Sequence, residues 1–308
     1  MGQAKPSASG IPAGRPCALG RLHPAVALGF FAAAIAMTIL VQGPLFSAVA
    51  LGAAAALYRS LRGRGAWRLI AAMAPLMALL TLVNPLFNTA GDTVLLTWLG
   101  RPYTLEALAA GLQTAAMFAA VLLWFASFNR VLTADKLTYL FGGAAPALSL
   151  ALTMTLRLVP TYQRKAAQIA TARAGVGKAP RGNGLRAGLR HGTQLLSALG
   201  TWATEGAVTT ADSMASRGYG CGPRTRYGRY PMGRGEGAVA VALVVLGTAA
   251  LAAILAGGAS AQFFPQVALA PLTPLRALGL VALAGFLGLP ALLDAWEEVA
   301  WRCSTSRI

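Results

Sequence analysis

The stretch LHPAVALGFFAAAIAMTILVQGPLFSAVALGAAAALY, residues 22–58, holds no Asp, Glu, Lys or Arg. Two further stretches are equally uncharged: from Arg68 the next charged residue is Asp92, and from Glu106 it is Arg130. Each is long enough for the roughly 20 apolar residues that a membrane-spanning helix needs. The expected fold is therefore an all-α integral membrane protein. Within the first stretch Gln42-Gly43-Pro44 interrupts the pattern, because proline removes a backbone donor and glycine loosens a helix. Two short spans in a tight hairpin are expected there.

Composition points the same way. The 308 residues are 56% hydrophobic and 11% charged, whereas a soluble domain carries roughly 25% charge. The formal net charge is +17, but a chain built for phosphate contacts interleaves its cations with aromatics or sets them on a soluble fold. Here the cations flank apolar runs, which is a topology signal; no nucleic acid is expected as a partner. Cys17, Cys221 and Cys303 have no metal-like or disulfide-framework spacing. His23 and His191 are isolated from other ligand-type residues and are assigned no chemistry.

Outward from the first stretch, residues 1–21 carry Lys5, Arg15 and Arg21 among Gly, Pro and Ser, a composition expected to stay disordered as a cytoplasmic tail. A signal peptide fits less well, because apolar material continues to Leu57 instead of ending at a cleavage site. Arg59, Arg62, Arg64 and Arg68 follow with no acid between them, which places that loop in the cytoplasm. A third span, Leu69 to Leu86, crosses Pro75 and leaves the membrane at Asn84-Pro85-Leu86-Phe87-Asn88. The loop to Tyr103 is expected outside, with Trp98 and Tyr103 in the interfacial belt. A fourth span, Thr104 to Phe128, returns to Asn129-Arg130. Asn84, Asn88 and Asn129 lie near span ends, where polar residues are tolerated and need not line a substrate path.

Residues 131–234 interrupt this pattern. Between Asp135 and Pro160 the chain is apolar, but Gly142, Gly143 and Pro146 break it and Arg157 sits inside it. An arginine at a bilayer centre costs at least about 2.5 kcal/mol, so an interfacial or partly buried helix is expected instead of a span. Pro160 suits a first helical turn, starting a helix that runs to Arg173 and stops at Gly175 and Gly177. A basic turn, Lys178 to Gly192, leads to a second helix with Leu195, Leu199 and Trp202 on one face, ending at Gly218, Gly220 and Gly222-Pro223. Arg224, Arg226 and Arg229, with Tyr227 and Tyr230 between them, suit contact with anionic headgroups. Two more spans, Gly237 to Leu255 and Pro274 to Leu293, bring the expected total to about six, with both termini cytoplasmic. The organisation expected is a tail at 1–21, membrane helices at 22–130, a cytoplasmic segment at 131–234, membrane helices at 235–294 and a cytoplasmic tail at 295–308.

Both helices of the basic segment end with an arginine, Arg173 or Arg217, before glycines. Each cation either meets the unpaired carbonyls of its own helix end, worth about 0.3–1 kcal/mol, or projects to a partner; spacing leaves both open. The same face of the second helix, Leu195 to Trp202, either packs on neighbouring helices or receives a partner.

The runs NPLFNTAGDTVL (residues 84–95), ADKLTYLFG (residues 134–142) and MTLRLVP (residues 154–160), with Ala215-Ser216-Arg217-Gly218-Tyr219 and Arg224-Thr225-Arg226-Tyr227, resemble the transmembrane T component of energy-coupling factor (ECF) ABC transporters. The resemblance covers about residues 20 to 300. It implies a scaffold in a prokaryotic cell (inner) membrane that couples two ABC ATPase subunits to a membrane-embedded, substrate-binding S component. ATP and Mg would sit on the ATPases, with no cofactor bound by this chain. The S component would select the substrate, a vitamin or a transition-metal ion. The resemblance also implies two coupling helices, each with an Ala-Arg-Gly signature whose arginine docks on one ATPase. Carried onto this sequence, the signatures fall on Ala172, Arg173 and Ala174, and on Ser216, Arg217 and Gly218. Ala174 replaces the family's Gly, followed by Gly175, and Ser216 replaces its Ala.

No GxxxxGK[ST] sequence is present, so the chain itself is not expected to bind ATP. No acid pair, triad or metal cluster supports catalysis, so a non-catalytic subunit is expected. The alternative, a membrane-embedded enzyme with a site on the cytoplasmic face, has only Asp135, Glu205 and Asp212 to stand on.

Overall fold

The computed structural model describes residues 18–305 apart from 42, 89–90, 99–100, 143–144, 178–184, 223–232 and 259–272. Most of the expected N-terminal tail, residues 178–184 of the expected basic turn, the Arg224-to-Tyr230 cluster and residues 259–272 lie outside the described residues; residues 185–192, expected in that turn, are instead the start of a helix. The chain divides into two compact units, Met1–Ala134 with Tyr230–Ile308, and Asp135–Arg229.

The first unit holds α1 (Ala18–Arg21), α2 (Pro24–Leu40), α3 (Pro44–Arg62), α4 (Ala66–Phe87), β1 (Val94–Trp98), β2 (Arg101–Thr104), α5 (Leu105–Val131), α9 (Arg234–Ala253) and α10 (Pro274–Thr305). Proline opens both α2 and α3 in the first turn, where its missing N–H has no intrahelical partner to lose. His23 caps α2, its Nδ1 accepting from the Ala25 N–H at 3.2 Å. α2 ends at Leu40 and α3 begins at Pro44, where Gly43-Pro44 predicts a new helix. The two helices do not form a tight hairpin, however; each packs chiefly on other helices, and both lean on α5.

α5 explains why. Its buried face is small from Ala107 through Gly111, Ala115, Ala119 and Ala120 before it reaches Leu123 and Trp124, while Leu112, Phe118, Leu122 and Phe125 point outward. Small residues let helix backbones approach closely, and these four large apolar side chains are left on the outside, as lipid would require. A Cβ on Gly111 would lie 2.8 Å from Asn84 Cβ and 3.0 Å from the Thr81 carbonyl oxygen, so α4 and α5 touch there almost backbone to backbone. Gly279 of α10 meets Ala253 in the same way, at 2.7 Å. Ser47 of α3 donates to Gln113 Oε1 of α5 at 2.7 Å, a polar tie of the kind that holds helices together in lipid. Further along, Phe30 and Phe31 of α2 stack edge-on against Trp124 of α5, at 5.8 and 6.4 Å, and Phe30 lies 5.2 Å from Phe286 of α10.

Among the described residues, five helices are long and apolar enough to cross a membrane: Pro44–Arg62, Ala66–Phe87, Leu105–Val131, Gly235–Ala256 and Pro274–Glu297. α2 is apolar but has 17 residues, or about 26 Å at 1.5 Å per residue. α10 continues to Thr305, so most of the segment expected as a tail after residue 294 is helical.

The loop expected between Asn88 and Tyr103 contains structure. β1 and β2 pair antiparallel, with Trp98 opposite Arg101 and an irregularity between Val94 and Leu96. Glu106, only 3% exposed, accepts from the Thr93 N–H at 3.3 Å and from the Thr93 hydroxyl. The Tyr103 hydroxyl donates to the Leu82 carbonyl of α4. Gly91, at φ +136°, passes so close to this carboxylate that a Cβ there would lie 2.6 Å from Glu106 Oε2.

The second unit holds α6 (Ala134–Phe141), α7 (Pro146–Gly175) and α8 (Leu185–Ser216). α7 corrects the expectation of a helix starting at Pro160: the helix starts at Pro146 and passes through Pro160 without a break. Pro160 is exposed, so the carbonyl that its missing N–H leaves without an intrahelical donor is open to water, and the Arg164 Nε donates to the Pro160 carbonyl at 3.2 Å. α7 is not among the five candidate spans, and Leu148, Leu152, Leu156, Leu158 and Val159 of its first half are exposed.

Candidate docking site on the second unit

α7 and α8 run antiparallel. Arg173 Nη2 of α7 donates to Gln194 Oε1 of α8, and further back along α7 the Tyr162 ring meets Trp202 edge-on at 5.6 Å. Lys165 Nζ stands 5.4 Å from the centroid of the same Trp202 ring, a cation–π contact. Trp202 thus packs between the two helices.

Beyond Trp202 the helices part. Met154 and Arg157 of α7 face a stripe on α8 from Trp202 to Arg217 across an open cleft of about 790 Å³. The α8 residues of this wall recur every three to four positions, which is one helical face. Gly206 lies on that wall, and a Cβ there would meet nothing within 4 Å.

The two Arg-Gly sites therefore lie at opposite ends of the antiparallel pair. Arg173 is 16 residues along α7 from Arg157, about 24 Å at the helical rise. They also end their helices differently. At the second site the Tyr219 N–H donates to the Met214 carbonyl and the Gly218 N–H to the Ala215 carbonyl, both at 3.0 Å. With Gly218 at φ +76°, this is a Schellman cap in which Gly218 takes the left-handed position. Arg217 is the residue just before it and is exposed. At the first site α7 continues through Gly175, and the left-handed residue is Gly177, at φ +74°. Arg173 consequently lies a full turn inside the helix. The expectation that both helices end alike is corrected on this point.

The surroundings of the two cations differ as well. Arg173 is half-buried and engaged by Gln194, and its Nε is buried with no hydrogen-bond partner; Ala172 and Ala174 beside it are exposed. Neither Arg157 nor Arg217 has an ion-pair or hydrogen-bond partner for its guanidinium among the described residues. Ser216 turns its hydroxyl back to the Ser213 carbonyl at 3.0 Å. Leu195 and Leu199 are half-buried.

Sequence reading noted Arg157 only as a charge inside an apolar run and did not join it to this site. It stands 60 positions before Arg217, and only the antiparallel pairing of α7 with α8 puts both on one cleft. Of the three acids named for a catalytic alternative, Glu205 lines the cleft and Asp135 and Asp212 do not. Among the described residues no three His, Cys, Asp or Glu side chains gather in a metal-like group. Cys221 is a free, exposed thiol beyond the cap. No protein-family model matches the chain, and no curated protein matches it.

Proposed function

We propose that this chain is the membrane scaffold of an ECF-type ABC importer, a non-catalytic subunit that couples two partner ATPases to a membrane-embedded S component. On this reading the chain has about six spans, counting α2, and both termini and residues 131–234 are cytoplasmic. Arg173 and Arg217 each contact one ATPase, ATP and Mg reside on those ATPases, and the S component selects a vitamin or a transition-metal ion. The observation that supports the reading best is Arg217: an exposed guanidinium with no partner among the described residues, presented at the capped end of α8. Arginine suits the task, because it keeps its charge when partly desolvated and offers a planar fork of donors that lysine cannot reproduce. Two anchors at opposite ends of an antiparallel helix pair would convert closure of the ATPase dimer into relative motion of the helices.

The test is the double variant Arg173→Ala/Arg217→Ala, expressed with its genomic neighbours and followed by copurification and uptake. Removing a hydrogen bond to a charged group costs about 1.5–3 kcal/mol, so each site alone should weaken ATPase retention by about tenfold or more. Transport should be lost while membrane insertion persists. Normal uptake and normal assembly in the double variant would sink the assignment, as would chemical turnover by the purified chain alone.

A further inference from the structure

We propose that the cleft between Arg157 and Arg217 is a seat for an acidic side chain of one partner ATPase, gripped by both guanidinium groups at once. This rests on the docking reading above and changes its geometry: the partner inserts into this chain, where that reading needs only Arg217 to project outward.

Three features carry it. Arg157 is an arginine in an otherwise uncharged run from Lys136 to Arg164, and its guanidinium has no partner among the described residues. Exposed and not engaged by the described residues, it is available to an anion supplied by a partner. The cleft that it shares with Arg217 has Glu205 as its one acid, so two positive charges face one negative charge and the balance favours one more carboxylate. The hydroxyls of Thr209 and Thr210 do not compete as donors, because they already donate to the Glu205 and Gly206 carbonyls at 3.0 and 2.7 Å. Finally, the floor is ready for a side chain: Gly206 leaves it open, and Met154, Met214 and Trp202 line it with adaptable apolar surface. A carboxylate on a protein segment, with an apolar neighbour beside it, matches this mixture better than a bare anion.

The experiment purifies the full-length chain with its coexpressed ATPases in nanodiscs of phosphatidylcholine alone, so that no anionic lipid contributes, and measures ATPase retention by native mass spectrometry. Gly206→Leu fills the cleft and leaves both arginines in place, and leucine is the better helix former. Arg157→Ala and Gly206→Leu should each weaken retention by at least about tenfold. Arg157→Lys should fall between, because an ammonium lacks the planar fork, and Gly206→Ala should behave as wild type. Wild-type retention in either Arg157→Ala or Gly206→Leu overturns the seat, and the docking reading survives if Arg217→Ala still weakens retention. Wild-type retention in Arg173→Ala/Arg217→Ala overturns both. A loss in Gly206→Ala as large as in Gly206→Leu also overturns the seat, since a methyl group there meets nothing. So does retention by the wild type that requires added phosphatidylglycerol, because the anion would then be a lipid phosphate.

Discussion

Gly175→Ala and Gly218→Ala should have opposite effects, although both glycines follow an arginine within two residues. Gly218 is at φ +76° and terminates α8, with the Tyr219 N–H on the Met214 carbonyl and its own N–H on the Ala215 carbonyl at 3.0 Å each. An alanine Cβ would meet no neighbour within 4 Å, so the penalty is purely that of a left-handed L-residue, about 1–2 kcal/mol. It falls on the local opening of the last turn of α8. Since 1.4 kcal/mol is tenfold, amide protection of the Tyr219 N–H should drop by about 5- to 30-fold. Gly175 is helical and likewise open to solvent. Alanine there gains about 0.8–1.0 kcal/mol of helix propensity, which should raise protection of the last turn of α7 by about four- to fivefold. Hydrogen exchange read by mass spectrometry on peptides covering 170–177 and 213–222 measures both. Unchanged exchange at Tyr219 in Gly218→Ala, or faster exchange in Gly175→Ala, would refute the different capping assigned to the two sites.

Two more variants probe the packing. Gly91→Ala sets a Cβ 2.6 Å from Glu106 Oε2 at a φ of +136°; it should push the carboxylate off Thr93 and destabilise the detergent-solubilised protein by about 1–3 kcal/mol. An unchanged denaturation midpoint contradicts the close approach. Trp202→Ala removes the edge-on contact with Tyr162 and the ring under Lys165, together about 1–2.5 kcal/mol. Exchange across 161–175 should accelerate by about 5- to 60-fold; no acceleration means that Trp202 does not hold the helices together.

How much of this was legible in the sequence depends on how local each cause is. The break before Pro44, the end of α4 at Asn88 and the start of α5 at Thr104 follow from residues within a few positions of the boundary, and the helices begin and end where those residues predict. Pro160 looked equally local and misled. Proline at a first turn and proline inside an exposed helix present the same sequence, and the five exposed apolar residues from Leu148 to Val159 had already begun the helix. The β1–β2 ribbon was illegible for another reason: Val94–Trp98 and Arg101–Thr104 are too short to show alternation, and their ties to Leu82 and Glu106 come from the ends of α4 and α5. The placement of Arg157 on one cleft with Arg217 is the least local of all, since it exists only once two helices have paired.

The same distinction separates the two signature sites. Their sequences differ by small-for-small exchanges, Ala174 for Gly and Ser216 for Ala, yet their geometries differ by a helical turn. Placing Gly at 175 and 177, with Ala at 174, lets α7 wind on past Arg173, whose guanidinium donates to Gln194 of α8. A partner reaching Arg173 must displace or share that hydrogen bond, so part of the docking free energy there is offset before contact begins. Gly218 stops α8 one residue after Arg217, and nothing among the described residues holds its guanidinium. On the docking reading, the first site is braced within the second unit and the second is open. Force from an ATPase at Arg173 would pass directly into α8 through Gln194, whereas at Arg217 it would act at the free ends of the cleft, where α7 and α8 have already parted. An antiparallel pair joined at one end and open at the other can flex at the open end without losing the Tyr162–Trp202 contact that joins it; the pairing decides which arginine stands at which end, and the capping glycine decides how far from its helix terminus each one lies.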